Sequence, residues 1–243
     1  MANELPSLAV RSLTHGAFDT LRDAILDGRL AQGERINEVQ VSRTLGISRG
    51  PLREALRRLE EEGLVRSTPN RGASVVRVSA RDALDLLNVR RLLEPYAVLE
   101  AYKRDGQNLV PLTQAAIDEM RAASKTRDRS REAIAHSRYH GLFYARSGNT
   151  VMERMWTRLE DPVRLFLRLR QTSTKEMLEV AAAHQRLLDL LSAGDTPAIR
   201  SEVLAHLDVS RNSLRMLVAG RGRLIAGDGQ EPAVIHGPSD GKE

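Results

Sequence analysis

Apolar residues recur along most of this chain three and four positions apart, the period of a helix with one buried face. Near the N-terminus Phe18, Leu21, Ile25 and Leu26 form such a face, and Gly28 is placed to end it. The stretch ERINEVQVSRTLG predicts a short second helix with Val41 and Leu45 inward and Gly46 as its stop. Ser48 is placed to cap a third, in which Leu52, Ala55, Leu56 and Leu59 share one side, and Gly63 ends it. The pattern then changes. LVRSTPNRGASVVRV is short and β-branched on both flanks of Pro-Asn-Arg-Gly, which predicts a β-hairpin. After Val78 the helical period returns and predicts helices over roughly 80–104, 108–124, 129–147, 150–171, 174–193 and 196–219, with a kink at Pro95. From residue 220 the chain is Gly- and Pro-rich without a period, and a disordered tail is expected.

Charge sharpens the third helix. Arg49, Arg53 and Arg57 stand four apart on a face beside the leucine stripe. From Arg43 to Arg58 there are five Arg and one Glu, Glu54. A helix held by its leucines thus presents a cationic edge, and its N-terminal dipole adds attraction for phosphate. Preceded by a short helix and the turn Gly46-Ile47-Ser48, it predicts a helix-turn-helix, and the hairpin predicts a wing. Arg71-Gly72 at the wing tip could enter a minor groove. The whole chain agrees in sign. Its net charge is +5, and of 37 basic residues only four are Lys. Arginine forks onto phosphate and base edges as an ammonium cannot, although codon bias alone can raise arginine content.

Residues 13–78 resemble the winged helix-turn-helix of GntR-family transcription regulators, through LRDAILDGRL, GERI, LGISRGPLREALRRLEEEGLV and RGASVV. The resemblance implies double-stranded DNA as partner, Arg49 and Arg53 as main contacts, and Ser48 and Gly72 as phosphate or groove contacts. Arg43 and Arg71 complete the basic edge. Gln32 departs from the family, which has proline before the glycine of QGERI, and a looser turn is expected there. One reading helix spans few base pairs, so a homodimer on an inverted repeat is expected.

Four of six histidines fall on apolar stripes of the helical region: His136 and His140 on one helix, His184 and His206 on two others. A lone His on such a stripe is commonly a hydrogen-bonded core residue. Two at i and i+4 aim at one point, and four buried imidazoles without partners would be poorly satisfied. Residues 79–219 resemble the all-helical FCD effector domain of the FadR subfamily, through VRRLLEPYAVLEA, YHGLFYARSGN, AHQRLLDLLSAGD and EVLAHL. The resemblance implies a divalent metal held by one Asp and three His. His140, His184 and His206 fall on the His positions, and His136 stands where the Asp would be. Four neutral ligands leave the ion's charge uncompensated by protein, which favours Zn or Ni and an anionic ligand. The resemblance also implies a small organic acid as effector, with Arg90, Arg164 and Arg168 as candidate carboxylate forks, although Arg90 is also spaced for an ordinary ion pair with Glu94.

The expected fold is therefore mostly α: an arm (1–12), a winged helix-turn-helix with three helices and a hairpin (13–78), an antiparallel helical bundle for sensing, metal and dimerisation (79–219), and a tail (220–243). The expected function is a ligand-responsive repressor. A metal-dependent enzyme acting on a small acid is the rival. HSRYH has the two-His spacing of a zinc protease helix, but Ser137 stands where the general-base Glu must be. There is no Gly-rich phosphate loop and no nucleophile elbow, and with no cysteine there is no disulfide, thiolate ligand or Cys nucleophile. Without a signal-peptide core or membrane-length apolar run, a soluble cytoplasmic protein is expected.

Overall fold

The computed structural model describes residues 8–69, 72–169 and 174–218. The expected tail from residue 220 and the first seven residues of the arm lie outside them. The first unit comprises α1 (Leu8–Leu26), β1 (Arg35–Ile36), α2 (Glu38–Leu45), α3 (Arg49–Glu61), β2 (Val65–Thr68) and β3 (Gly72–Val75). The leucine stripe of α3 decides its packing: Leu52, Ala55 and Leu59 are wholly buried, against Phe18, Leu21 and Ile25 of α1 and Leu64. α2 starts where the Asn37 side chain accepts from the Val39 and Gln40 amides. It ends at Gly46, whose φ of +64° suits glycine. Ser48 does sit at the N-cap of α3 in extended backbone, but its side chain makes no capping bond.

The expected hairpin is present, with Val65 opposite Val75 and Thr68 opposite Gly72. It is one part of a three-stranded antiparallel sheet of order β1-β3-β2. The extra strand, β1, pairs Arg35 with Ser74 and Ile36 with Ala73. Two residues carry no readable alternation, so periodicity could not announce it.

The second unit comprises α4 (Ala80–Thr126), α5 (Arg129–Arg146), α6 (Thr150–Leu169), α7 (Thr174–Ala193) and α8 (Thr196–Val218). A reciprocal capping box between Ser79 and Asp82 opens α4. The irregular residue in α4 is Asp105 (φ −151°, ψ 38°), which falls in the gap expected between helices over 80–104 and 108–124. Pro95 is buried and keeps helical dihedrals. Asp105 instead bonds Asn108 at 2.7 Å and Arg146 at 2.7 Å, side-chain bonds that compete with helix continuity, beside the poor helix former Gly106. Val98, Ile117 and Met120 of α4 form the core with Tyr139 and Phe143 of α5, Leu191 of α7 and Val203 of α8. Leu165 of α6 belongs instead to the core of the first unit. Among the described residues no helix is long and apolar enough to cross a membrane.

Candidate nucleic-acid interface and metal centre

Burying the leucines of α3 turns its arginines outward. Arg49 and Arg53 are exposed and, with Arg35, Asn37, Glu38 and Gly72, line an open groove of about 670 Å³. β1 therefore adds Arg35 to this face, a residue that sequence reasoning missed. Arg53 Nε donates to Glu38 Oε2 at 2.9 Å, which holds this guanidinium in one pose. Arg57 differs. It is held by Glu54 and Glu61 on its own helix, so the third arginine of the row is occupied. Arg43 is exposed on α2 and is not among the groove-lining residues. Ser48 is exposed at the start of α3, its hydroxyl not used as a cap. Gly72 opens β3 at φ +76°, a conformation that favours glycine. Arg71 lies outside the described residues.

The four histidines converge from three helices. α5 presents His136 and His140 one turn apart, α7 presents His184, and α8 presents His206. One nitrogen from each ring lies within 4.8 Å of those of the other three. His136, His140 and His184 are buried, and His206 is partly so. Burial, reinforced by the neighbouring rings and Arg90, holds His136, His140 and His206 well below the usual imidazole range. Burial takes His184 down to about 4, against an opposing hydrogen bond from its ring to Val180. The rings are therefore neutral at pH 7.

Neutral rings have fixed roles. His184 Nδ1 donates to the Val180 carbonyl at 2.7 Å, so its Nε2 carries a lone pair. His140 Nδ1 donates to Glu94 Oε1 at 2.5 Å, so its Nε2 does too. These two Nε2 atoms face each other at 3.3 Å. Two acceptors at that distance repel unless a cation lies between them. Two nitrogens bound to one tetrahedral ion at 2.0–2.1 Å would stand about 3.3 Å apart. His136 Nδ1 is also buried without a partner. The donor set thus fits a divalent ion of borderline softness. The outer sphere is built as well: a carboxylate orients His140, a carbonyl orients His184, and the Tyr139 hydroxyl donates to the His184 carbonyl at 3.2 Å.

Glu94 changes the expected charge balance. Its carboxylate touches His140, so the ion's charge would not stand uncompensated by protein. Arg90 then returns a positive charge, pairing with Glu94 at 2.9 Å with both side chains almost fully buried. The Arg90–Glu94 pair is therefore an interior element beside the histidines, where the i,i+4 spacing alone read as an ordinary helix pair. Arg90 Nη2 lacks a well-directed hydrogen-bond acceptor. Arg90, His136 and His206 line a small cavity of about 30 Å³ with Leu87, Phe166 and Leu207. Of the two other candidate forks, Arg164 is not brought there. Arg164 is buried beside Asp161, 3.8 Å away, and is not among the cavity-lining residues. Arg168 is on α6 with its side chain outside the described set.

Comparison with known proteins agrees with both halves. Residues 13–75 match the family described as bacterial regulatory proteins, gntR family, and residues 85–209 match the FCD domain. The chain is 26% identical to the uncharacterized HTH-type transcriptional regulator YdhC of Bacillus subtilis, over 79% of this chain and 86% of that one. It is 26% identical to a protein of Paenarthrobacter nicotinovorans named "Probable D-xylose utilization operon transcriptional repressor", over 75% of this chain and 79% of that one. A crystal structure of a GntR transcriptional regulator from Rhodococcus sp. RHA1 shares the fold, with a TM-score of 0.76 at 23% identity, covering 87% of this chain and all of the other.

Proposed function

The chain belongs to the GntR family of transcription regulators with an FCD domain, and we propose that it is a metal-containing repressor released from DNA by a small organic acid. The carrying observation is the pair of lone-pair nitrogens facing each other at 3.3 Å beside a buried arginine with an undirected N–H. When bound, the ion would supply a Lewis-acidic anchor for a carboxylate, with zinc or nickel best suited to four imidazoles. His136, His140, His184 and His206 would hold it. Glu94 and the Val180 carbonyl keep the imidazoles of His140 and His184 in the right tautomer. Arg90 would fork onto the acid, and Leu87, Phe166 and Leu207 would have to part to admit it, since a cavity of about 30 Å³ has room for about one water. Arg49 and Arg53 would read the operator, with Ser48, Gly72 and Arg43 contributing groove or phosphate contacts, and Arg71 doing so from the wing tip.

The working unit is a homodimer on an inverted repeat, in the cytoplasm. Val89, Leu92 and Tyr96 support the dimer: they share the outer face of α4 and are exposed, Leu92 at 78%. So large an apolar side chain left in water marks an association surface. The relative from Paenarthrobacter nicotinovorans, named as a repressor, supports repression. The enzyme reading lacks a base: Ser137 follows His136 and donates to Glu160 at 3.2 Å. A band-shift titration on DNA upstream of the protein's own gene, with and without zinc and a panel of small acids, tests the proposal. Specific binding weakened by one acid supports it. Turnover of an acid with no specific shift favours the enzyme.

A further inference from the structure

α6 carries two kinds of residue side by side. Phe166 lines the histidine cavity. Leu165, the residue before it, is 2% exposed within the core of the first unit, the one that carries the reading helix. One turn back, Asp161 is almost fully buried and takes a two-pronged bond from Arg22 of α1, at 2.5 Å from Nε and 2.6 Å from Nη2. A fork of this kind fixes angle as well as distance.

A second set of bonds closes around the same point. The Gln32 side chain accepts from the Val78 amide at 3.0 Å and reaches the Leu165 carbonyl at 3.5 Å. Val78 lies in the strip joining β3 to α4, so one amide side chain bridges the first unit, the connection and α6. The neighbouring Gly33 amide donates to Val75 at 2.9 Å. Gly33 has φ +81° and lies against the Arg77 guanidinium where a Cβ would stand, so the turn fits closely over the connection. Ser130 of α5 adds a bond to Asp27 at 2.5 Å. The looser turn expected from Gln32 is thus replaced by a built contact. A proline at that position has no amide to make it.

From these contacts we infer that Arg22, Gln32, Asp161 and Leu165 are positioning residues that couple the histidine cavity to the angle of the reading head, with α6 as the moving part. The inference deepens the proposed function and rests on it for the occupant of the cavity. A helix with Phe166 against a cavity and Leu165 in another core cannot absorb a shift on one side alone, because packed cores deform little. Displacing Phe166 drags Leu165 and the Asp161 fork. The head must then follow or release them. A ligand acts through this device only if it fits one of the two arrangements better.

The chain has no cysteine, so single cysteines at exposed Thr44 of α2 and Lys125 of α4 carry spin labels at these two sites alone. Pulsed electron resonance on the full-length protein, mixed with an excess of unlabelled chain so that a dimer carries one labelled copy, then gives the distance between head and bundle. The unaltered pairing should give one narrow distance that shifts when zinc is added. Gln32→Ala and Asp161→Asn should each broaden the distribution about two-fold or more and abolish the zinc shift, while calorimetry shows zinc binding at unchanged stoichiometry. Gln32→Ala is the gentler change and keeps the test decisive if Asp161→Asn misfolds. Unchanged width in Gln32→Ala overturns the inference. So does zinc that binds without moving the distance in the unaltered protein. Zinc that does not bind at all sinks the proposed function instead, and calorimetry separates the two failures.

Discussion

The arginine-lined groove and the histidine chamber solve opposite electrostatic problems. In the groove, charges stand in water on a rigid helix, and the cost of holding them is small. Arg53 has a partner in Glu38, and Arg57 has two, but all are exposed and screened. In the chamber, four imidazoles with an ion pair beside them are taken out of water, and every polar atom must be satisfied or pay for desolvation. The groove can therefore tolerate substitution of its framing residues. The chamber cannot, since the tautomers of His140 and His184 each depend on one neighbour. The difference teaches where specificity is stored: in the groove by which arginines project, in the chamber by which atoms remain without a partner.

The sharpest separation comes from removing the two groove arginines. Arg49→Ala combined with Arg53→Ala should cost about 1–3 kcal/mol of DNA binding per residue, a loss of roughly 30-fold or more. The slope of log affinity against log salt should become shallower by about one for each lost phosphate contact. Measured without DNA, zinc affinity should be unchanged, because neither arginine belongs to the contacts that join the head to the histidines. Fluorescence anisotropy at several salt concentrations and calorimetry check both halves. A fall in zinc affinity would break the comparison.

Removal of one chamber ligand is the mirror experiment. His140→Ala should lower zinc affinity by more than the 10–100-fold typical of outer-sphere changes. The rise in melting temperature on adding zinc should vanish. DNA affinity of the variant should be the same with and without added zinc, since the metal can no longer shift the head. Nickel and cobalt titrations on the same variant test whether the preference belongs to the ring set.

These two sites were legible to different depths. The groove was readable because its pattern is local: leucines at helical spacing fix which face is buried, and Arg49 and Arg53 follow on the other. Arg35 escaped, since β1 is two residues long, and Asn37 and Glu38 escaped with it. In the chamber, His136 and His140 were readable as a pair on one helix. Their meeting with His184 and His206, more than forty residues on, follows from how α5, α7 and α8 pack, which no spacing reveals. Glu94 was hidden for a different reason. Arg90 at i−4 gave it a sufficient local partner, so nothing pointed to its second oxygen. Gln32 was hidden by its surroundings: a turn residue gives no periodic signal, and its partners Val78 and Leu165 are distant in sequence.

Glu94 offers an intermediate test. Glu94→Gln keeps a hydrogen-bond acceptor for His140 but removes the charge, and should lower zinc affinity about 10–100-fold. It also leaves the buried Arg90 guanidinium without its counter-ion, a loss of about 3–5 kcal/mol in stability where such pairs are broken. Adding Arg90→Gln should recover much of that stability while leaving the zinc defect in place. Urea unfolding of both variants beside zinc titration separates the two effects. If the double variant bound zinc normally, Glu94 would matter only as the partner of Arg90.

The smallest expected effect lies at the edge of the groove, in Glu38→Gln. The pair it breaks is exposed, so stability should change by less than about 1 kcal/mol. Two consequences oppose each other. Loss of a negative charge beside the phosphates should raise affinity for random DNA about two-fold at low salt. Loss of the carboxylate also frees Arg53 to rotate away from the pose that Glu38 holds at 2.9 Å, so an operator should gain less than random DNA. The ratio of specific to random affinity should fall about two- to five-fold, the range an interaction under 1 kcal/mol allows. Competition between an operator duplex and a scrambled one measures that ratio directly. If both affinities rose equally, Glu38 would be tuning charge alone, and the groove would store its specificity in the arginines without any framing carboxylate.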